Sequence, residues 1–189
     1  MIYSIEKAFN KQHDRYMTLL EAYYPAHNET GFTERNLSHN FVAALESVLG
    51  DECISWFEAP INLKKKQHID AVVFDPVSKA SFMIESKRIN GNSKIISIKN
   101  DIKRLRLEEN IYLLEDGLYD VSIEKRYAIV LADLWTENEK REDLLATWPR
   151  FIYDNDFVFA ATKDFNELSH REKWKESYNI MISVQEIKI

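Results

Sequence analysis

His68-Ile69-Asp70-Ala71-Val72-Val73-Phe74 and Ser81-Phe82-Met83-Ile84-Glu85-Ser86-Lys87 are two strand-like runs, and Asp75-Pro76-Val77-Ser78-Lys79 between them has the composition of a turn. An antiparallel hairpin follows. With the turn centred on Val77 and Ser78, residues whose numbers sum to 155 lie opposite one another, which sets Asp70 against Glu85. Cross-strand partners stand about 5 Å apart at Cβ, and like charges directly opposite destabilise a sheet. Something positive is therefore required between the two acids. Lys87 qualifies, because residues two apart in a strand share a face. So does a divalent cation, since Mg²⁺ is commonly held by one or two carboxylates.

The flanking segments extend this hairpin into a domain. Ile5, Phe9, Tyr16, Leu20 and Tyr23 recur at helical spacing over residues 3–24, which ends at Pro25. After a loop at 26–31, Thr33 is placed to cap a second helix running to Leu49, with Gly50 as its stop. Leu37, Phe41, Ala44, Leu45 and Val48 form its apolar stripe, and Glu34 projects from that stripe in the first turn. Cys53 to Ile61 reads as a strand, Ile95, Ile98, Ile102 and Leu105 mark a helix, and the apolar run Tyr127 to Leu131 suits a strand covered on both faces. Beyond Trp135 the pattern predicts a helix at 143–147, a strand at 157–162, a helix at 167–176 and a last strand at 178–184. The aromatics of this region, Trp148, Phe151, Tyr153, Phe157, Phe159 and Trp174, are expected in the core or at a subunit contact.

Length and composition set limits. A chain of 189 residues with 45% apolar residues supports one domain, spanning 1–189. The single cysteine, Cys53, has no partner within the chain for a disulfide, and the start lacks the apolar stretch of a secretory signal, so a cytoplasmic protein is expected. No uncharged apolar run approaches the ~20 residues needed to cross a bilayer. Net charge is −6, yet residues 62–106 carry 11 Lys and Arg against 4 acids. The carboxylate hairpin thus lies within the basic segment, where a local positive field draws a phosphate chain.

An Asp followed, across a hairpin, by Glu-x-Lys resembles the PD-(D/E)xK phosphodiesterase superfamily of restriction-endonuclease-like nucleases. The matching residues are His68-Ile69-Asp70, with Ile69 where the name has proline, and Glu85-Ser86-Lys87. Asp101-Ile102-Lys103 and Glu186-Ile187-Lys188 repeat the acid-x-Lys letters without the hairpin. The order helix, strand, strand, strand, helix, strand over about 33–135 is the core order of that superfamily. The resemblance implies an α/β fold with a central mixed sheet flanked by helices, an extra N-terminal helix and C-terminal additions.

It also implies a chemistry. Asp70, Glu85 and the backbone carbonyl of Ser86 are the expected ligands of Mg²⁺, with Mn²⁺ as a substitute. Lys87 is expected beside the attacking water and the scissile phosphate, and Glu34 corresponds to a helix glutamate that many members aim into the site. An acid in a first helical turn is also favoured by the helix dipole alone, so both readings of Glu34 stand. Lys64, Lys65, Lys66, His68, Arg88, Lys99, Lys103 and Arg106 are the expected DNA contacts; Lys99, Lys103 and Arg106 share a helix flank that equally suits a solvated face. The implied activity is Mg²⁺-dependent hydrolysis of DNA phosphodiesters, carried out by a homodimer. The rival reading is a non-catalytic nucleic-acid-binding or regulatory protein of a bacterial defence system that retains the fold.

Overall fold

The computed structural model describes residues 1–22, 33–64, 66–89, 92–135, 140–148, 156–169 and 178–189. Two helices open the chain, α1 (Ile2–Ala22) and α2 (Glu34–Leu49). Thr33 occupies the cap position of α2 with extended backbone, but its side chain makes no capping bond; Gly50 ends the helix at φ 112°, its N–H bonded to Glu46 O at 2.8 Å. Such a φ suits glycine because no Cβ opposes it. Three strands follow: β1 (Ile54–Asn62), β2 (Gln67–Asp75) and β3 (Ala80–Ile89). Next come α3 (Asn92–Leu105), α4 (Glu108–Glu115) and β4 (Lys125–Trp135). The chain ends with α5 (Lys140–Thr147), β5 (Phe159–Asp164) and β6 (Tyr178–Ile187).

The six strands form one mixed sheet in the order β1-β2-β3-β4-β6-β5. Among the described strands only β3 and β4 run parallel; a parallel pair needs a crossover, and α3 with α4 supplies it. The hairpin register is the expected one, with Ala71↔Ile84, Val72↔Met83 and Val73↔Phe82 all summing to 155. Asp75 stabilises the turn, accepting from Val77 N–H at 3.1 Å and from the Ser78 hydroxyl.

Helices cover both faces. Ile5, Phe9 and Tyr16 of α1 and Leu37, Phe41 and Leu45 of α2 bury one face together with Val73, Phe82, Ile84, Ile129 and Ile182. On the other face, Leu105, Ile111 and Leu114 pack on Val72, Phe74 and Met83, and Ile98 and Ile102 pack on Val130, Ala132 and Met181. Trp148 closes this second face and donates its indole N–H to Ile182 O at 2.9 Å.

Three expectations change. α4 was not legible as a separate helix. β1 carries a kink at Glu58, and residues 167–169 of the predicted helix at 167–176 are not helical. Positions 170–176 of that helix, with Tyr23, Lys65, Phe151, Tyr153, Trp174 and the loop at 26–31, lie outside the described residues.

Candidate functional site

The site begins with a left-handed residue inside β1. Glu58 has φ 53°, a left-handed conformation that non-glycine residues seldom adopt. By register it faces Asp70, between the pairs Phe57↔Ala71 and Ala59↔Ile69. Both strands change sides there: Ala71 and Val73 pack under α1 and α2, whereas Ile69, two residues before Ala71, joins Val72 and Phe74 on the opposite face. Asp70 is the pivot of that switch.

Past Ala71↔Ile84 the Asp70 carboxylate itself takes over the ladder, with Oδ2 accepting the Ser86 N–H at 2.6 Å. Burial raises its pKa, opposed by the Ser86 bond and the Lys87 charge and reinforced by Glu34 and Glu58. Asp70 also lines a cavity of about 130 Å³ whose other walls are Arg35, Ser38 and His39 from α2 and Phe57 and Glu58 from β1.

Glu85 and Lys87 stand on the α3 side of β3. Glu85 is 2% exposed, and its carboxylate lies 3.3 Å from Arg104 Nη2 and 3.9 Å from Lys87 Nζ. Burial first, then the charges of Asp70 and Asp101, push it up to about 8 against the pull of Lys87 and Arg104. Lys87 is closer to Asp101, at 3.1 Å, and Arg104 Nη2 reaches Asp101 Oδ1 at 2.5 Å. Burial draws the Lys87 pKa down, but Glu85, Asp101 and Asp70 outweigh it and the net shift is upward. These carboxylates favour the ammonium form of Lys87, which lies within ion-pair distance of Asp101 and Glu85.

The positive charge demanded by the paired acids is thus supplied by Lys87 and by Arg104. Asp101 and Arg104 had no role in the sequence reading. The available signal was their i, i+3 spacing beside the apolar residues Ile98, Ile102 and Leu105; Asp101 is buried there, and a buried acid needs a cation.

The remaining expected residues are dispersed. Glu34 bonds the Arg88 N–H at 3.0 Å and lies 3.5 Å from Lys94 Nζ, at the end of β3 beyond Lys87. Ser86 is fully buried, its hydroxyl 2.8 Å from that of Ser38, while its N–H serves Asp70. The Arg88 guanidinium is directed inward at Asp133, 3.3 Å away. Asp133 is entirely buried, and burial raises it to about 7 against the opposing charge of Arg88. Lys64, Lys66, His68, Lys99 and Lys103 are exposed. Arg106 is exposed too and pairs with Asp156 at 3.8 Å.

Whether Mg²⁺ fits is decided by the donors and the charge balance. Among the described residues no group of three or more His, Cys, Asp or Glu side chains is arranged to hold a metal. Mg²⁺ requires less than that, because it keeps several waters and binds through one or two carboxylates. Asp70, Glu85 and Asp101 against Lys87 and Arg104 leave one uncompensated negative charge when all are ionised. A proton on Glu85 removes it, whereas Mg²⁺ turns it into a single positive charge. In this structure one Asp70 oxygen is taken by the Ser86 N–H, and the buried Glu85 is contacted by Arg104.

No protein-family model, no curated protein and no solved structure matches this chain. Among the described residues no helix is long and apolar enough to cross a membrane.

Proposed function

We propose that this chain is a metal-dependent nuclease of the PD-(D/E)xK type, hydrolysing phosphodiester bonds in DNA on a restriction-endonuclease-like fold. The observation that carries the reading is that the Asp70 carboxylate is bonded to the Ser86 N–H, between Glu85 and Lys87 on β3, and lines a cavity, while Lys87 stands 3.9 Å from Glu85. The element order α2-β1-β2-β3-α3-β4, interrupted only by α4, agrees with it.

Asp70, Glu85 and the Ser86 carbonyl would hold Mg²⁺, which when bound neutralises phosphoryl charge and lowers the pKa of water. The other roles belong to side chains already in position. Asp101 holds the Lys87 ammonium protonated beside Glu85, where it steadies the attacking water and offsets charge developing on the phosphoryl oxygens. Asp70 has a fixed orientation because the Ser86 N–H occupies one of its oxygens. Lys64, Lys66, Lys99 and Lys103 contribute phosphate contacts that add affinity without sequence information.

A second reading has a specific observation in its favour. Arg104 already contacts Glu85, so the site is neutralised without metal by that guanidinium and a proton, as suits a nucleic-acid-binding or regulatory protein that keeps the fold but not the reaction. Purified protein incubated with plasmid DNA in Mg²⁺, in Mn²⁺ and in EDTA separates the two. We expect nicking in either metal, none in EDTA, and loss of nicking in Glu85→Ala and Lys87→Ala. Absence of nicking in both metals, or nicking that survives both substitutions, overturns the nuclease assignment.

A further inference from the structure

The cavity in front of Asp70 has one wall that neither metal binding nor phosphate chemistry requires. His39, exposed on α2, lies flat against Phe57 of β1, with ring centroids 4.0 Å apart and planes only 5° from parallel. Glu58, next to Phe57 and at the kink of β1, also lines the cavity. There the Glu58 carboxylate and the Arg35 guanidinium stand 3.6 Å apart, both largely in water, with side-chain exposures of 57% and 80%. Flat aromatic surface beside a donor fork and an acceptor forms a recognisable chemical set. The aromatic wall offers a stacking face, Arg35 offers donors, and Glu58 offers acceptors, all bordering the Asp70 carboxylate.

We infer that this pocket is a nucleobase subsite, taking one unpaired base next to the phosphate that Asp70 addresses. The inference rests on the nuclease reading for its choice of ligand and narrows that reading to a substrate class. A base inside a duplex has both faces covered by its neighbours, so it reaches a side-chain stacking platform only when single-stranded or extruded. The outer face of His39, backed by Phe57, then receives the base. Arg35 and Glu58 exchange their weak mutual contact for bonds to the base edge or the adjoining phosphate. The preferred substrates are accordingly single strands, flaps, bulges or frayed ends, in place of continuous duplex.

Fluorescence anisotropy without divalent metal tests this. The probes are an end-labelled single-stranded oligonucleotide, the same sequence as a blunt duplex, and an abasic deoxyribose-phosphate strand of equal length. Wild type, His39→Ala and His39→Phe are titrated in parallel; His39 is a surface residue, and circular dichroism checks that each variant is folded. Stacking of one base on an aromatic side chain accounts for roughly a 5- to 150-fold change in affinity. We expect His39→Ala to lose roughly tenfold or more on the single strand. Duplex and abasic strand should be unaffected, and His39→Phe should retain binding. Equal single-strand affinity in wild type and His39→Ala overturns the subsite, as does an equal loss on the abasic strand. The outcome is independent of the plasmid assay. His39-dependent single-strand binding without nicking sinks the nuclease reading alone, and metal-dependent nicking with His39-independent binding sinks the subsite alone.

Discussion

Replacing Glu85 with glutamine turns the charge argument into a measurable pH dependence. In the folded protein Glu85 is raised from an ordinary 4.5 to about 8. Between those values the native state holds a proton that the unfolded chain has released. Where the native state binds more protons, stability falls as pH rises. The unfavourable contribution of Glu85 therefore grows from about pH 4.5 and is complete above about pH 8. A shift of roughly 3.5 pH units at about 1.4 kcal/mol each comes to about 5 kcal/mol. The glutamine side chain keeps the shape and carries no titrating proton. The attraction of Lys87 and Arg104 for the ionised carboxylate is already contained in the value of about 8 and is not counted again. Urea denaturation of both proteins from about pH 5 to about pH 9, without metal, reads the difference. The stability of Glu85→Gln relative to wild type should climb by up to about 5 kcal/mol and level off above about pH 8. Repeating the series with saturating Mg²⁺ should shrink the climb, because a cation that binds only the ionised native site adds about 2.7 kcal/mol at about one hundred times its dissociation constant. A relative stability that stays flat within about 1 kcal/mol refutes the account of Glu85 as a buried, acid-crowded carboxyl.

Lys87→Met keeps the side chain's length and removes its charge; metal-dependent nicking should fall on the order of a hundredfold, and gel-based single-turnover rates that fall less than about threefold argue against a role at the phosphoryl group. Phe82 is fully buried in the cluster under α1 and α2, so Phe82→Ala should cost about 3–5 kcal/mol in denaturant melts, and a loss below about 1 kcal/mol contradicts the packing described. Lys99→Ala and Lys103→Ala should each lower the slope of log affinity against log salt for DNA by about one unit and weaken all sequences alike. A sequence-dependent effect, or an unchanged slope, removes α3 from the DNA contact surface.

Local signals account for most of the architecture. The hairpin was legible because Asp75-Pro76-Val77-Ser78-Lys79 admits few registers, and the observed pairs follow the expected sum. α1 and α2 were legible because their stripes are long and strictly periodic, with Gly50 an unambiguous stop. α4 was hidden by its length of eight residues: Ile111 and Leu114 are its only buried apolar positions, and two such positions one turn apart do not distinguish a helix from a loop. The site was less legible than the fold. Arg88 sits among basic residues in the sequence and reads as a phosphate contact, yet its partner Asp133 is 45 positions away on the neighbouring strand. Arg104 likewise reaches Glu85 only because the β3–β4 crossover lays α3 over β3. Such pairings depend on which face each helix covers, and hydrophobic periodicity gives the covered face of a helix without naming what it covers.

The kink at Glu58 explains why the acids behave as a unit while opening in different directions. A regular β2 places Asp70 with Val72 and Phe74, on the face where α3 brings Arg104 and Asp101 to Glu85. The cavity that Asp70 lines is built from Ser38 and His39 of α2, on the other face. A flat sheet keeps two such surfaces apart, because successive residues point to opposite sides without exception. Reversing both β1 and β2 at one point removes that separation at Asp70. The reversal requires an unfavourable backbone angle at Glu58, and strained residues of this kind persist where the surrounding structure over-determines them. Phe57 and Ala59 packing on opposite faces provide that constraint on either side of Glu58. The same bend therefore gives Asp70 a route to solvent from the α2 side while Glu85, through its electrostatic coupling to Asp70, remains buried on the α3 side.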